Sequence, residues 1–334
     1  MRRQVKLPGS FYSWFLLPAI LFSTLAGGGA ETEFTPRPLT GQTFIHDPST
    51  IVKAGGRYYV FGTGPGIRTK SSSDMIHWQN GDSIFMRPPA WTKRLVPAFA
   101  GFGWAPDVIC VRGRYLLYYA VSTWGKPVSA IGLATNATQN PAASNFQWHD
   151  GGEVIHSTNG TAFNAIDPSV VLAADGRLWL AFGSFFQGIF LTELDSQTGL
   201  RPGPDSPLYH LAWNDSIEAA CLTRHGSFYY LFVNWGKCCK GTNSTYEVRM
   251  GRAEKITGPY CDRSGQDLVA GGGSQFLQSR GRFIGPGHIG IMADGATNGP
   301  TWFSYHFYDA DTEGHSRLAI GRIDWSDGWP QPAN

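Results

Sequence analysis

His46-Asp47-Pro48-Ser49 recurs 120 residues later as Ile166-Asp167-Pro168-Ser169, and each copy opens an extended apolar stretch. Ala105-Pro106-Asp107, Ile217-Glu218-Ala219 and Gly287-His288-Ile289 open three more such stretches. Asp47 to Asp107 is 60 residues, Asp107 to Asp167 is 60, Asp167 to Glu218 is 51 and Glu218 to His288 is 70. A period of this length marks a repeat architecture. In a radial repeat the first residue of every unit faces one axis, so four carboxylates and a histidine would meet there.

Each unit reads as a strand, a glycine turn and an aromatic strand. The aromatic strands are Tyr58-Tyr59-Val60-Phe61, Tyr115-Leu116-Leu117-Tyr118-Tyr119, Leu178-Trp179-Leu180-Ala181-Phe182, Phe228-Tyr229-Tyr230-Leu231-Phe232 and Trp302-Phe303-Ser304-Tyr305-His306. The turns before them carry Gly55-Gly56, Gly113, Asp175-Gly176, Gly226 and Asp294-Gly295, and glycine takes positive φ there without steric cost. A third strand follows in every unit, and a fourth shows around His77-Trp78 and Phe146-Gln147-Trp148. The pattern predicts an all-β, five-bladed β-propeller in one domain. A sandwich would also give many short strands. It would not explain an ionisable residue at the same place in each unit.

Proline after Asp47 and Asp167 predicts an extended backbone at each aspartate and suits a strand's first position. A single Asp-Pro is ordinarily only a turn signal. Two in register with each other and with a glutamate point to a shared channel. Carboxylates crowded together repel, so one keeps its proton while another stays ionised. Glycoside hydrolysis needs that division, with one carboxyl on each face of the scissile bond.

The first residues read as a targeting segment. Arg2, Arg3 and Lys6 precede an apolar run from Phe11 to Leu25, and Ala26-Gly27-Gly28-Gly29-Ala30 supplies small residues for cleavage. The run is short and interrupted for a membrane span, so an uncleaved anchor is the lesser reading. Residues 1–30 are therefore expected to be a signal peptide and 31–334 the propeller domain. Removing three cations and no acid turns the net charge from +2 to −1. Such a chain has no electrostatic case for nucleic acid or an anionic membrane. The expectation is a secreted monomer, periplasmic in a Gram-negative host. Sequons at Asn136, Asn159, Asn214 and Asn243 matter only in a eukaryotic host.

His46-Asp47-Pro48-Ser49, Trp104-Ala105-Pro106-Asp107, Asn164-Ala165-Ile166-Asp167-Pro168-Ser169, Ile217-Glu218-Ala219 and Gly285-Pro286-Gly287-His288 occur in that order. Together they resemble glycoside hydrolase family 43, in particular its endo-1,5-α-L-arabinanases and related α-L-arabinofuranosidases. The resemblance runs from about Gly41 to Trp329. It implies a five-bladed, inverting enzyme that cleaves α-1,5-linked arabinan. It implies Asp47 as general base, Glu218 as general acid, and Asp167 as the residue that raises and orients that acid. It implies that His288 touches a central cation, usually calcium, otherwise surrounded by water; histidine is an unusual ligand for so hard an ion, so the ion would be structural and electrostatic. The alternative for His288 is a hydrogen-bonded histidine without metal. Asp107 has no catalytic part in this scheme and reads as structural or solvent-ordering. Substrate contacts are expected from Trp104, which could equally be core, and from Phe163, Asn164, Ser184, Phe185 and Arg317. Ala220-Cys221 departs from the commoner family wording beside the acid.

Five cysteines leave at least one unpaired within the chain. Cys238 and Cys239 are adjacent, and the loop from Cys238 to Tyr246 resembles one that recurs in secreted family members. A Cys238–Cys239 bridge is expected, although Cα atoms about 3.8 Å apart across one peptide strain it. Pairing of one of them with Cys261 is the alternative. Cys110 and Cys221, in inner strands, read as buried thiols. Within the same chemistry an exo-acting arabinofuranosidase or β-xylosidase is the second reading. A sugar-binding propeller without catalysis is the reading from another class, but it has no need of acid, base and modulator together.

Overall fold

Five sheets succeed one another along the chain. They belong to a computed structural model that describes residues 34–292 and 300–334. The expected signal peptide and the Asp294-Gly295 turn lie outside the described residues. The first sheet carries Val52–Ala54, Arg57–Gly62, Arg68–Ser72 and His77–Gly81 from inside out, with Thr40–Gly41 parallel to the last. The second carries Phe102–Val111, Arg114–Val121, Ser129–Asn136 and His149–Ser157, with Gly64–Pro65 at its inner edge. The third carries Ser169–Leu172, Leu178–Phe182, Ile189–Leu194 and Tyr209–Ala212. The fourth carries Ile217–His225, Phe228–Trp235, Glu247–Ala253 and Ser274–Leu277. The fifth carries Phe283–Met292, Thr301–Asp309, His315–Asp324 and Gln331–Ala333. This is a five-bladed β-propeller. The fourth strand of the second blade begins at His149, just past the Phe146–Trp148 segment that the sequence suggested. A short α-helix, Ala90–Leu95, comes between the first two blades along the chain.

The blades pack face to face, which explains their unbroken apolar second strands. Leu178–Phe182 is buried at every position, because each face of that strand meets a neighbouring sheet. Trp179 and Leu191 of the third blade join Leu231 and Val233 of the fourth in one cluster. Leu180 and Phe182 turn the other way, onto Leu116, Tyr118 and Ile131 of the second. Each such side chain contributes roughly 1.5–3 kcal/mol by leaving water.

Every blade interface is also stapled by hydrogen bonds near the axis. Asp107 accepts from Thr50 N at 3.0 Å in the first blade and from Val170 N at 2.9 Å in the third. Ser169 Oγ accepts from Leu222 N at 3.0 Å, joining the third to the fourth. Asn234 Oδ1 accepts from His288 N at 2.8 Å, joining the fourth to the fifth. Ser304 Oγ donates to Ser49 O at 2.8 Å, joining the fifth to the first. The chain start completes the ring, for Leu318 N donates to Thr43 O and Arg37 N to Ile320 O, each at 2.8 Å. Asp107 thus ties the second blade to both of its neighbours.

At the mouth of the channel each inner strand turns through a left-handed residue. These are Asp47 (φ +49°), Ala105 (+44°), Asp167 (+55°), Ala219 (+54°) and His288 (+55°). This corrects the extended backbone expected for the two aspartates. The cause is a bulge. Thr63 N donates to His46 O at 2.9 Å and Ser49 N to Phe61 O at 2.8 Å, so Asp47 and Pro48 fall between two ladder bonds. Gly183 N donates to Ile166 O at 2.9 Å and sets the same step at Asp167-Pro168. Aspartate tolerates the left-handed region better than most residues, and proline has no donor for the ladder to lose.

Candidate active site

The five mouths open into one cavity of about 710 Å³, lined by Asp47, Asp167, Glu218 and His288 among others. The three acids, far apart in sequence, therefore face one space. Asp107 lies deeper, in its staple.

Asp47 is held as an anion. His46 Nδ1 is 2.8 Å from its Oδ1, and Thr63 Oγ1 donates to Oδ2 at 2.5 Å. His288 Nδ1 and His306 Nδ1 stand 3.6 Å and 3.7 Å from Oδ1. Burial works against its charge, but the charged imidazole of His46 outweighs it and holds the carboxyl far below the usual range. Burial likewise opposes a charge on His46, yet Asp47 beside it pushes the imidazole up to about 10. The two form an ion pair at neutral pH.

Asp167 and Glu218 are pushed the other way. Ala219 N donates to Asp167 Oδ2 at 2.9 Å, which sets Asp167 against the peptide that follows Glu218. Burial raises Asp167 well above its ordinary value, and the charges of Glu218 and Asp47 add to it. Burial also raises Glu218, partly offset by hydrogen bonds from Tyr246 and Ser184 and reinforced by Asp47. Tyr246 OH donates to Glu218 Oε1 at 2.5 Å and Ser184 Oγ to Oε2 at 2.8 Å. The pair retains a proton that an exposed pair would have released. Gly287 matters here: a Cβ would meet the Tyr246 ring at 2.3 Å and Asn234 Nδ2 at 2.6 Å. A bare backbone lets the tyrosine reach the acid.

The expected substrate contacts divide. Trp104 and Phe185 line the cavity, and Ser184 sits one bond away on Glu218. Phe163 instead packs on Phe182 and Phe190, with centroids 5.3 and 5.7 Å away. Asn164 is buried with its Oδ1 unpartnered and is not among the lining residues. Arg317 turns to Asp309 Oδ2 at 3.0 Å and Thr43 Oγ1 at 3.2 Å, because the fully buried Asp309 needs its charge more than the channel does. The sequence reading missed Thr63, Tyr246 and the rim aromatics Phe44, Phe102 and Trp124. Trp124 is 71% exposed and stands edge-on to Trp104.

Cys238 and Cys239 line the same cavity with their Sγ atoms 2.7 Å apart and no bond between them in the structure. Adjacent Cα atoms lie closer than a disulfide prefers. Cys261 is also free. Cys221 is buried as expected, but Cys110 is exposed, since its strand end opens on a cavity at the far end of the channel.

His46, Asp47 and His306 bring ligand atoms within 4.8 Å of one another and could hold a metal ion. His288 stands beside this group. Burial lowers the pKa of His288, so its imidazole is neutral and keeps a lone pair for a cation.

A carboxyl pushed up by burial and a carboxylate held ionised, sharing one cavity, are the pair that glycoside hydrolysis uses. The family model for glycosyl hydrolases family 43 matches residues 37–330, and the chain belongs to that family. It is 41% identical to the extracellular endo-α-(1→5)-L-arabinanase 1 of Bacillus subtilis, across 96% of each chain. It is 36% identical to the extracellular exo-α-(1→5)-L-arabinofuranosidase ArbA of Cellvibrio japonicus, across 96% of this chain and 92% of that one. The Cellvibrio cellulosa α-L-arabinanase complexed with arabinohexaose superposes with a TM-score of 0.82 at 36% identity, covering 88% of this chain and 96% of that one.

Proposed function

We propose that the protein is a secreted, inverting arabinan endo-1,5-α-L-arabinosidase. One observation carries this reading: a carboxylate held ionised and a glutamate pushed up by burial share one open cavity. Asp47 is the general base. It draws a proton from a water that attacks the anomeric carbon. Glu218 is the general acid and delivers its proton to the departing oxygen. Asp167 repels a charge on Glu218 and holds the acid's own peptide. Ser184 and Tyr246 fix the direction of the carboxyl. Neither carboxyl forms a covalent bond to sugar, so the configuration inverts.

Arabinan is the substrate on the strength of the relatives, which are described as acting on α-1,5-linked arabinose chains at 36–41% identity. Both endo- and exo-acting enzymes stand among them. Exposed aromatics Phe44, Phe102, Trp124 and Phe185 around the cavity favour the endo mode, because flat apolar faces on several sides can seat sugars beyond the scissile bond. Residues 31–334 would form the exported domain after cleavage at residue 30, in keeping with relatives described as extracellular. A cation, calcium by family resemblance, would be held at His288 beside Asp47 and would add positive charge that favours the ionised base.

Digestion of linear, debranched arabinan tests the reading. Mid-sized oligomers early in the reaction are expected. Release of arabinose alone would make the enzyme exo-acting, and no release from arabinan, with turnover of an aryl xyloside, would overturn the substrate.

A further inference from the structure

Tyr308 does not line the cavity, yet it sits behind the residue that holds Asp47. Its hydroxyl is 2.8 Å from His46 Nε2. The same oxygen accepts from Cys239 N at 2.7 Å. His46 Nδ1, on the other side of the ring, is the atom 2.8 Å from Asp47 Oδ1. The imidazole is also stacked on His306, with centroids 4.1 Å apart, and Tyr308 meets the edge of that second ring at 5.3 Å. Amide, phenol, imidazole and carboxylate thus form one continuous line from the Cys239 turn to the acid at the cavity wall.

We propose that Tyr308 is a positioning residue for the general base, acting through His46. The inference rests on the reading of Asp47 as that base. Which nitrogen of a histidine carries the proton is set by the partner of the other nitrogen. When His46 is neutral, the Tyr308 O–H donates to Nε2 and leaves the proton on Nδ1, facing Asp47. When His46 is charged, Nε2–H donates to the phenol oxygen and Nδ1–H still faces Asp47. In both states the carboxylate receives a hydrogen bond along a fixed line, and its remaining lone pairs stay aimed at the cavity. Without the phenol, Nε2 keeps only the longer contact to Cys239 Sγ at 3.7 Å, and the Cys239 amide loses its acceptor. The imidazole can then rotate about its stack on His306, and the alignment of Asp47 with the attacking water is lost. The role parallels that of a third residue that orients a catalytic histidine, with the carboxylate here as the reacting group.

The test is Tyr308→Phe, which removes one oxygen and keeps the ring. On linear arabino-oligosaccharides kcat is expected to fall about ten- to a hundredfold, the range for small misalignments of reacting groups, with KM nearly unchanged. The same loss is expected on an aryl arabinoside with a good leaving group, since a better leaving group relieves the acid and not the base. Tyr308→Phe should cost nothing more in a His46→Gln background, because coupled residues are non-additive. A merely structural tyrosine would lower the melting temperature, lose activity additively with His46→Gln, and regain none of these signatures. Wild-type kcat in the folded variant, or additive losses, overturns the proposal. If Tyr308→Phe does not fold, His46→Gln alone must show the leaving-group-independent loss or the proposal fails. Asp47→Asn is run beside them. Its full activity would sink the base assignment itself, whereas an inactive Asp47→Asn with a fully active Tyr308→Phe would sink only the part given to Tyr308.

Discussion

The Tyr246 hydroxyl donates to Glu218 Oε1 at 2.5 Å, and both residues are buried. The bond favours the ionised glutamate, so it works against the burial that raises the acid. Tyr246→Phe is therefore expected to move the Glu218 pKa further up, and the alkaline limb of the pH–rate profile should shift to higher pH. The same change frees the carboxyl from one of its two fixed donors. A hydrogen bond to a charged group is worth about 1.5–3 kcal/mol, so a fall in kcat/KM of roughly ten- to a hundredfold accompanies the shift. A pH profile of the variant on aryl arabinoside reads both effects at once.

Asp167→Asn acts in the opposite sense. The asparagine carbonyl still accepts from Ala219 N, so the local backbone stays in place. The repulsion between Asp167 and Glu218, which raises Asp167, disappears. The acid then gives up its proton at lower pH, and the alkaline limb moves down. Activity at neutral pH should fall by about two to three orders of magnitude, the scale of a general acid in the wrong state. An unshifted limb would show that Asp167 does not act on Glu218.

Asp107 offers the contrast of a buried channel acid with both oxygens taken up between blades. Each of its oxygens serves a different blade, Thr50 N on one side and Val170 N on the other. Asp107→Asn supplies one carbonyl and one amide, so one backbone N–H loses its acceptor and meets a donor. The expected cost is about 1–3 kcal/mol of stability by denaturant titration. Turnover per folded molecule should remain within a few-fold of wild type.

The sequence carried the architecture because the feature that repeats is chemical. Asp47, Asp107, Asp167, Glu218 and His288 fall in one register, and only a radial arrangement gives a reason for it. The backbone at those residues was not legible. Proline after Asp47 and Asp167 suggested extension, while the bulge that aims both side chains depends on ladder bonds to Thr63 and Gly183. Tyr246 was missed for a related reason: it ends the Cys238–Tyr246 loop 28 residues beyond Glu218, and nothing in that stretch shows that its hydroxyl reaches the acid across Gly287. Phe163 and Asn164 fall outside the cavity lining because a position near the site in sequence need not face it. Arg317 was claimed by Asp309, a partner that spacing along the chain does not reveal.

Chelation tests the cation proposed at His288. Dialysis against EDTA followed by thermal melting should lower both Tm and activity, and calcium should restore them. His288→Ala should abolish the response to calcium. A protein indifferent to chelator would leave His46, Asp47 and His306 as a purely hydrogen-bonded cluster.

The state of Cys238 and Cys239 can be counted. All five cysteines are free in the structure, so the unfolded protein should react with five equivalents of a thiol reagent without prior reduction. A bridge between Cys238 and Cys239 would leave three. The folded protein is a sharper probe. Cys239 is exposed and its pKa is depressed to about 5, by the Cys238 thiol and by His46 against the cost of burial, whereas Cys221 is buried and its thiol is pushed up past the usual range. The thiolate is the reactive form, so Cys239 should be alkylated first at neutral pH and Cys221 last. Because Cys239 lines the cavity and its amide is bonded to Tyr308, its alkylation should slow arabinan hydrolysis, and bound arabino-oligosaccharide should protect it. Mass spectrometry of the alkylated peptides against residual activity would read the order and the protection together, and alkylation of Cys239 at full activity would show that the turn does not bear on the site.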